Sequence, residues 1–361
     1  PNNSALNAVY TPSAAEVTAG SVTLTLTTVG NGTCTAESAQ VTHAITPAPT
    51  ANAGIDRVVC ANNAAVTLNG SFTVATGGVW SGGTGTFDPS TTNMNAIYTP
   101  TAAEIANGNV TLTLTTTGNG SCSAVTDNMV ISFTPAAVVN AGAPVSVCAN
   151  NAAVALNGSV TGATGGAWSG GAGTYAPNNS TLNATYTPTA SEIAAGTLTL
   201  TLTSTGNGTC LPVSSDRIIT FTPAPVVDAG TNGAVCANNS AISLSGSVTG
   251  AAGGSWSGGA GTFSPNNTTL NATYTPTAAE RAAGMVTLTL TSTGNGTCSP
   301  VSDQVTFTIT PSPTANAGAD QTLCSNNPVA MLNGSFTVAT GGVWSGGNGS
   351  FDPSTTNMNA T

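Results

Sequence analysis

The chain has 361 residues, three basic side chains and a formal net charge of −10, and only 4% of its residues are charged, against about a quarter in an ordinary soluble domain. That balance excludes a nucleic-acid binder, which needs a row of cations to neutralise phosphates. The 40% hydrophobic content excludes a charged disordered tail, and no apolar run approaches the ~18 residues of a membrane-spanning helix.

An internal repeat organises the rest. The string WSGG recurs at Trp80, Trp168, Trp256 and Trp344, and YTP at Tyr10, Tyr98, Tyr186 and Tyr274, both in steps of 88 residues. The eight cysteines form two series with the same step: Cys34, Cys122, Cys210, Cys298 and Cys60, Cys148, Cys236, Cys324. A period of 88 is long for a solenoid unit and suits a small autonomous domain. Pro-rich stretches at 46–54, 134–142, 222–230 and 310–318 read as linkers, because proline stiffens the chain and removes backbone donors. Domains are then expected at 51–138, 139–226 and 227–314, with 1–50 and 315–361 as the C-terminal and N-terminal parts of two further repeats of a longer array.

In chain order, AVTLNGSFT (65–73), GVWSG (78–82), GTFDP (85–89) and NAIYTP (95–100) predict short strands bounded by Gly, Asn and Pro. TAAEIANG (101–108) breaks the pattern: Thr101 and Glu104 have capping-box spacing and Gly108 is a stop, so a single helical turn is expected. Glu16, Glu104, Glu192 and Glu280 recur at this position as helix-cap carboxylates. VTLTLTTTG (110–118) alternates with period two, which turns Val110, Leu112 and Leu114 inward and the threonines outward. VTFTIT (305–310) alternates likewise. Six or seven short strands per 88 residues predict an all-β chain, a tandem array of Ig-like sandwiches. The recurring Trp and Tyr are expected to anchor the cores.

Each unit, from ANAG through Cys, Trp, YTPTAAE and VTLTLT to a second Cys, resembles an immunoglobulin-like or PKD-like domain. The strings NAGADQ, WSGGAGTFSP, NATYTPTAAE and TLTLTSTGNGTC are together similar to the repeats of giant cell-surface gliding-motility adhesins of Bacteroidota, the SprB type. The resemblance implies an extended filament outside the cell, attached to the outer membrane. Two departures from the antibody pattern stand out: Cys60 precedes the second strand, and Tyr98 lies before the helical turn, well ahead of Cys122 and away from the usual tyrosine corner.

Cysteines on strict periods, without CxxC pairs or neighbouring histidines, point to disulfides and an oxidising compartment rather than to metal. Two pairings fit the spacing. One lies within a unit (Cys60–Cys122, Cys148–Cys210, Cys236–Cys298), leaving Cys34 and Cys324 to pair outside the sequence; the other crosses a linker, as in Cys122–Cys148. Loop entropy favours neither. The pairing within a unit is preferred, since it staples each small domain without its neighbour.

No catalytic set emerges. The one histidine, His43, aligns with Ile131, Ile219 and Phe307, so it stands at an apolar position of the last strand. Asp56 aligns with Asp320 but with Pro144 and Asn232 between, and calcium needs several oxygen ligands together. NGT and NGS at Asn31, Asn119, Asn207 and Asn295 read first as Asn-Gly turns and only second as glycosylation sequons. No enzyme, metal or cofactor is expected. The expected role is a structural stalk or fibre segment of a secreted bacterial adhesin, serving attachment and gliding. Its partners would be other copies of the chain bundled laterally, secretion and motility machinery, and external surfaces or glycans. A glycan-binding repeat and the non-catalytic stalk of a large secreted enzyme are the alternatives.

Overall fold

The computed structural model describes residues 6–361; the first five residues of the 1–50 segment lie outside them. The repeat that begins at Thr50 shows the plan. Its strands are β1 (Thr50–Asn52), β2 (Arg57–Cys60), β3 (Val66–Thr67), β4 (Ser71–Thr73), β5 (Gly77–Ser81), β6 (Thr86–Asp88), β7 (Ile97–Thr99), β8 (Asn109–Thr117) and β9 (Thr126–Thr134), with a six-residue helix, α1 (Ala102–Asn107), between β7 and β8. The same elements recur one period on, from Val138–Asn140 to Ser214–Thr222, and again from Val226–Asp228 to Ser302–Thr310; the labels are used for all three. Residues 14–44 carry only the equivalents of α1, β8 and β9.

Each complete repeat is an all-β, Ig-like sandwich. One sheet has the order β2-β9-β8-β5, and facing it are the three-stranded sheet β3-β7-β6 and the pair β1-β4. All pairings are antiparallel except β2 with β9, which run parallel with Cys60 opposite Thr134. Between the sheets lie Trp80, Tyr98, Leu68, Leu112, Leu114 and Ile131, each no more than 1% exposed. Trp168 with Tyr186, and Trp256 with Tyr274, hold the same places in the next two cores. Trp344 is half-buried and Tyr10 exposed, because the elements that would face them are not part of their segments.

The structure departs from the sequence expectations in three places. The predicted strand at 65–73 is two strands, β3 and β4, in different sheets. The chain passes from one to the other at Gly70, where a Cβ would come 2.7 Å from the Trp80 ring. With this split, and with β1 and β2, which precede the first predicted strand, each complete repeat has nine strands rather than six or seven. The threonines of β8 do not all face outward: Thr116 and its equivalents Ser204 and Ser292 are buried. The period-two alternation simply continues through them, and each hydroxyl is satisfied by the N–H of Val125, Val213 or Val301 across the hairpin. The linkers are also shorter than the Pro-rich stretches. β9 ends at Thr134 and the next β1 starts at Val138, leaving Pro135, Ala136 and Ala137 between.

Candidate functional site at the repeat junction

The loop between β8 and β9 carries the second cysteine of each repeat. The Asn119 side chain donates to the Thr116 carbonyl and the Cys122 N–H closes a turn on the Asn119 carbonyl. Asn207 with Cys210, and Asn295 with Cys298, repeat this geometry at 3.0–3.2 Å. Gly120 takes φ +62° within that turn, a conformation that favours glycine. The Asn-Gly sequence thus aims a cysteine off one end of the sandwich. The first cysteine sits at the opposite end, where Cys60 closes β2 beside the last residue of β9.

The disulfides join Cys60 to Cys210 and Cys148 to Cys298, each spanning 150 residues with Cα atoms 4.9 Å apart. Both expected pairings are corrected by this. Cys60 and Cys122 are separated by the length of the nine-residue β9, about 30 Å at ~3.3 Å per residue, whereas a disulfide needs Cα atoms within about 7 Å. Cys122 and Cys148 stand at the outer ends of two successive sandwiches and are further apart still. The partner within reach of Cys60 is the loop cysteine of the following repeat, because that loop and the end of β9 meet at the three-residue connector.

Asparagines reinforce the clasp. The Asn62 side chain accepts from the Leu211 N–H (3.0 Å) and donates to the Leu211 carbonyl (2.9 Å), and Asn63 reaches the Thr209 carbonyl at 3.5 Å. At the next junction Asn150 does the same to Ser299 (3.0 and 2.9 Å) and Asn151 reaches the Thr297 carbonyl. Two bonds per asparagine are worth about 1–3 kcal/mol net. The Sγ of Cys210 lies 3.8 Å from the Pro135 carbonyl oxygen and that of Cys298 lies 3.7 Å from the Pro223 carbonyl oxygen, so each bond is seated on its connector. Cys122 holds the same seat against Pro47 at 3.8 Å; with Cys34, Cys236 and Cys324 it is a free thiol. The signal for this arrangement was the motif Cys-Ala-Asn-Asn at 60–63, 148–151 and 236–239, whose asparagines no intradomain role required.

In the first turn of each helix the recurring carboxylate is built into a tight knot. Glu104 Oε2 accepts from the Thr101 N–H and hydroxyl (2.7 and 3.0 Å), and Oε1 accepts from the Thr84 N–H (2.6 Å) and the Tyr98 hydroxyl (2.7 Å). Burial opposes its charge, yet these donors outweigh it and hold Glu104 at about 2; Glu192 and Glu280 are held at about 2 in the same way. Burial, with the bond to the carboxylate, raises Tyr98, Tyr186 and Tyr274 to about 12. Glu16 is lowered by the Tyr10 hydroxyl and by Ser13. The glycines of WSGG belong to this knot: Gly83 takes φ +68° and a Cβ there would overlap the Tyr98 hydroxyl. The knot ties helix, strand and loop together, and its neutral tyrosine and fully bonded carboxylate leave no free proton carrier.

The remaining polar residues have local partners. His43 is exposed, opposite Val22 in a two-stranded hairpin. Asp56 accepts from the Val130 N–H and Asn232 from the Thr306 N–H, both at 2.8 Å, so the bond does not depend on a charge, and Pro144 fills the position in the repeat between. Arg217 is buried where Met129 and Val305 stand in the flanking repeats; its Nη1 donates to the carbonyls of Ala155 and Leu156, and its Nε has no partner. Among the described residues no three His, Cys, Asp or Glu side chains cluster as a metal site, and no helix is long and apolar enough to cross a membrane.

No family model matches the chain, and no curated protein matches it. Solved structures that align with it include extracellular cadherin domains 3–6 of protocadherin gamma B2, at 15% identity and TM-score 0.29, covering 82% of this chain and 85% of that one. Drosophila N-cadherin EC1–4 aligns at 13% identity and TM-score 0.30, covering 81% and 84%. Titin domains I67–I69, in an E-to-A mutated variant, align at 12% identity and TM-score 0.37, covering 73% and 98%. These scores carry no functional weight, and the sandwich assignment stands on the sheet order.

Proposed function

We propose that the chain is a stalk or fibre segment of a long extracellular adhesin, with repeats near 51–138, 139–226 and 227–314 acting as covalently fastened beads. The carrying observation is the junction: both described disulfides join one repeat to the next and none staples a repeat to itself. A bond in that place contributes to the angle between neighbours, which a stalk requires and an independent binding module or enzyme does not. Bonds of this kind persist in an oxidising compartment, in keeping with a place outside the cell. The sequence resemblance to gliding-motility adhesins supports a bacterial surface and a role in attachment and gliding. The sparse charge and repeated Thr-rich strands support side-by-side association of copies, with weak lateral contacts multiplied along the length.

Small-angle scattering of the chain before and after reduction tests the stalk. Four repeats in line should span on the order of 150 Å, and reduction should broaden the distance distribution by loosening the junctions. A compact particle of the same mass, or identical curves in both redox states, would remove the basis of the proposal.

A further inference from the structure

The two disulfides close loops that cross. In chain order the bonded cysteines are Cys60, Cys148, Cys210 and Cys298, with the first bonded to the third and the second to the fourth. The segment 148–210 therefore belongs to both loops. In the unbonded chain the path from Cys60 to Cys298 runs through every residue between them. With both bonds closed, the shortest covalent route crosses from Cys60 to Cys210, runs back along the chain to Cys148 and crosses again to Cys298. Two full repeats drop out of the reachable length, about 600 Å of contour at ~3.4 Å per residue.

The chain between junction cysteines is already extended. From Cys122 to Cys148 it runs as β9, the connector, β1 and β2, with sixteen residues in strand, and from Cys210 to Cys236 it does the same. Such a run of about 26 residues reaches at most about 90 Å, and its nine-residue strand alone takes about 30 Å in the fold. The helix, the Trp-bearing strand and the Tyr–Glu knot all lie in the rest of each repeat, between its own two cysteines.

We propose that the crossed disulfides give the array a second function, carrying tension through 148–210 and past the cores of the first and third complete repeats, so that unfolding either of those two does not lengthen the protein. This rests on the stalk reading, which supplies the tension. Scattering probes shape without load and pulling probes the covalent route, so either proposal can fail alone.

The test is to pull the full chain from its two ends, with Cys34, Cys122, Cys236 and Cys324 alkylated under native conditions. Reduction should add two repeats of contour, about 600 Å at ~3.4 Å per residue. Crossing has a signature that no separate loops share. Opening one bond with C60S/C210S should add only about 26 residues, or about 90 Å, because the other loop still bridges the same stretch. C148S/C298S should add the same, and all four substitutions together about 600 Å. The contour at full extension does not depend on how well a variant folds, and the oxidised-to-reduced comparison needs no variant. Additive increments from the two pairs, or an oxidised chain that already reaches its full length, would overturn the proposal.

Discussion

Replacing Glu104 by glutamine removes the charge from the Tyr–Glu knot while keeping its shape. The carboxylate collects four donors, two on each oxygen. A glutamine keeps one acceptor oxygen and sets an NH2 group against the other two donors. Glu104 has an ordinary value of 4.5 and a folded value of about 2. At about 1.4 kcal/mol per pH unit, the linkage has an upper limit of about 3 kcal/mol. Because the folded value is the lower one, this stability is complete above about 4.5 and is lost as pH falls through about 2. Hydrogen exchange read by mass spectrometry resolves the repeats separately. At pH 7, E104Q should lower the opening free energy of the 50–134 segment by about 2–3 kcal/mol, a 30- to 150-fold faster exchange. The change in repeat 139–226 should be far smaller. Near pH 2 the parent chain should approach the variant. A variant whose stability follows pH between 4.5 and 2 as steeply as the parent would refute the assignment, as would an equal loss in every repeat.

At the alkaline end the tyrosines act in the opposite sense: their raised folded values favour the neutral form, so stability should hold below pH 10 and fall towards about 12, which absorbance of tyrosinate during a pH melt will follow. Arg217→Met should stabilise repeat 139–226 by about 1–3 kcal/mol, since it replaces a buried guanidinium with an unpartnered Nε by the side chain the preceding repeat carries; urea unfolding checks this, and a loss would mean that the Ala155 and Leu156 carbonyls depend on the arginine. Gly171→Ala should cost the same repeat about 3 kcal/mol, by forcing a Cβ into a positive φ and onto the Tyr186 hydroxyl, with thermal melting as the readout. Asn62→Ala removes two hydrogen bonds from one clasp, worth about 1–3 kcal/mol; Cys60–Cys210 should then reduce roughly 5- to 150-fold faster than Cys148–Cys298 in the same molecule, and equal rates would show that the asparagine does not hold the junction.

Local chemistry was legible wherever its causes are local. The capping box needs only Thr101, Glu104 and Gly108 in order, and the structure shows both reciprocal bonds with Gly108 left-handed. The Asn-Gly turn at 119–120 likewise needs no distant partner. The alternation in 110–118 located β8, yet Thr116 was read by its polarity rather than its parity; the parity rule holds through it because Val125 is there to satisfy the hydroxyl. The split at Gly70 was hidden because nothing in AVTLNGSFT announces that a tryptophan ring crosses there.

The period, the strand-rich composition of each unit, the helix caps and the placing of one cysteine before β3 and one after β8 are all legible in the residues. Those follow from short-range sterics, hydrogen bonding and side-chain parity, which act over a few residues. Tertiary structure alone decided which cysteines meet. The spacing offered a partner in the same unit or one across a linker, and the bonds instead span 150 residues, because the parallel seat of β2 on β9 carries Cys60 to the far end of its own sandwich. That seat joins Val59 to Thr134, positions most of a repeat apart in sequence, and no local pattern reports which end of a strand a distant neighbour will reach.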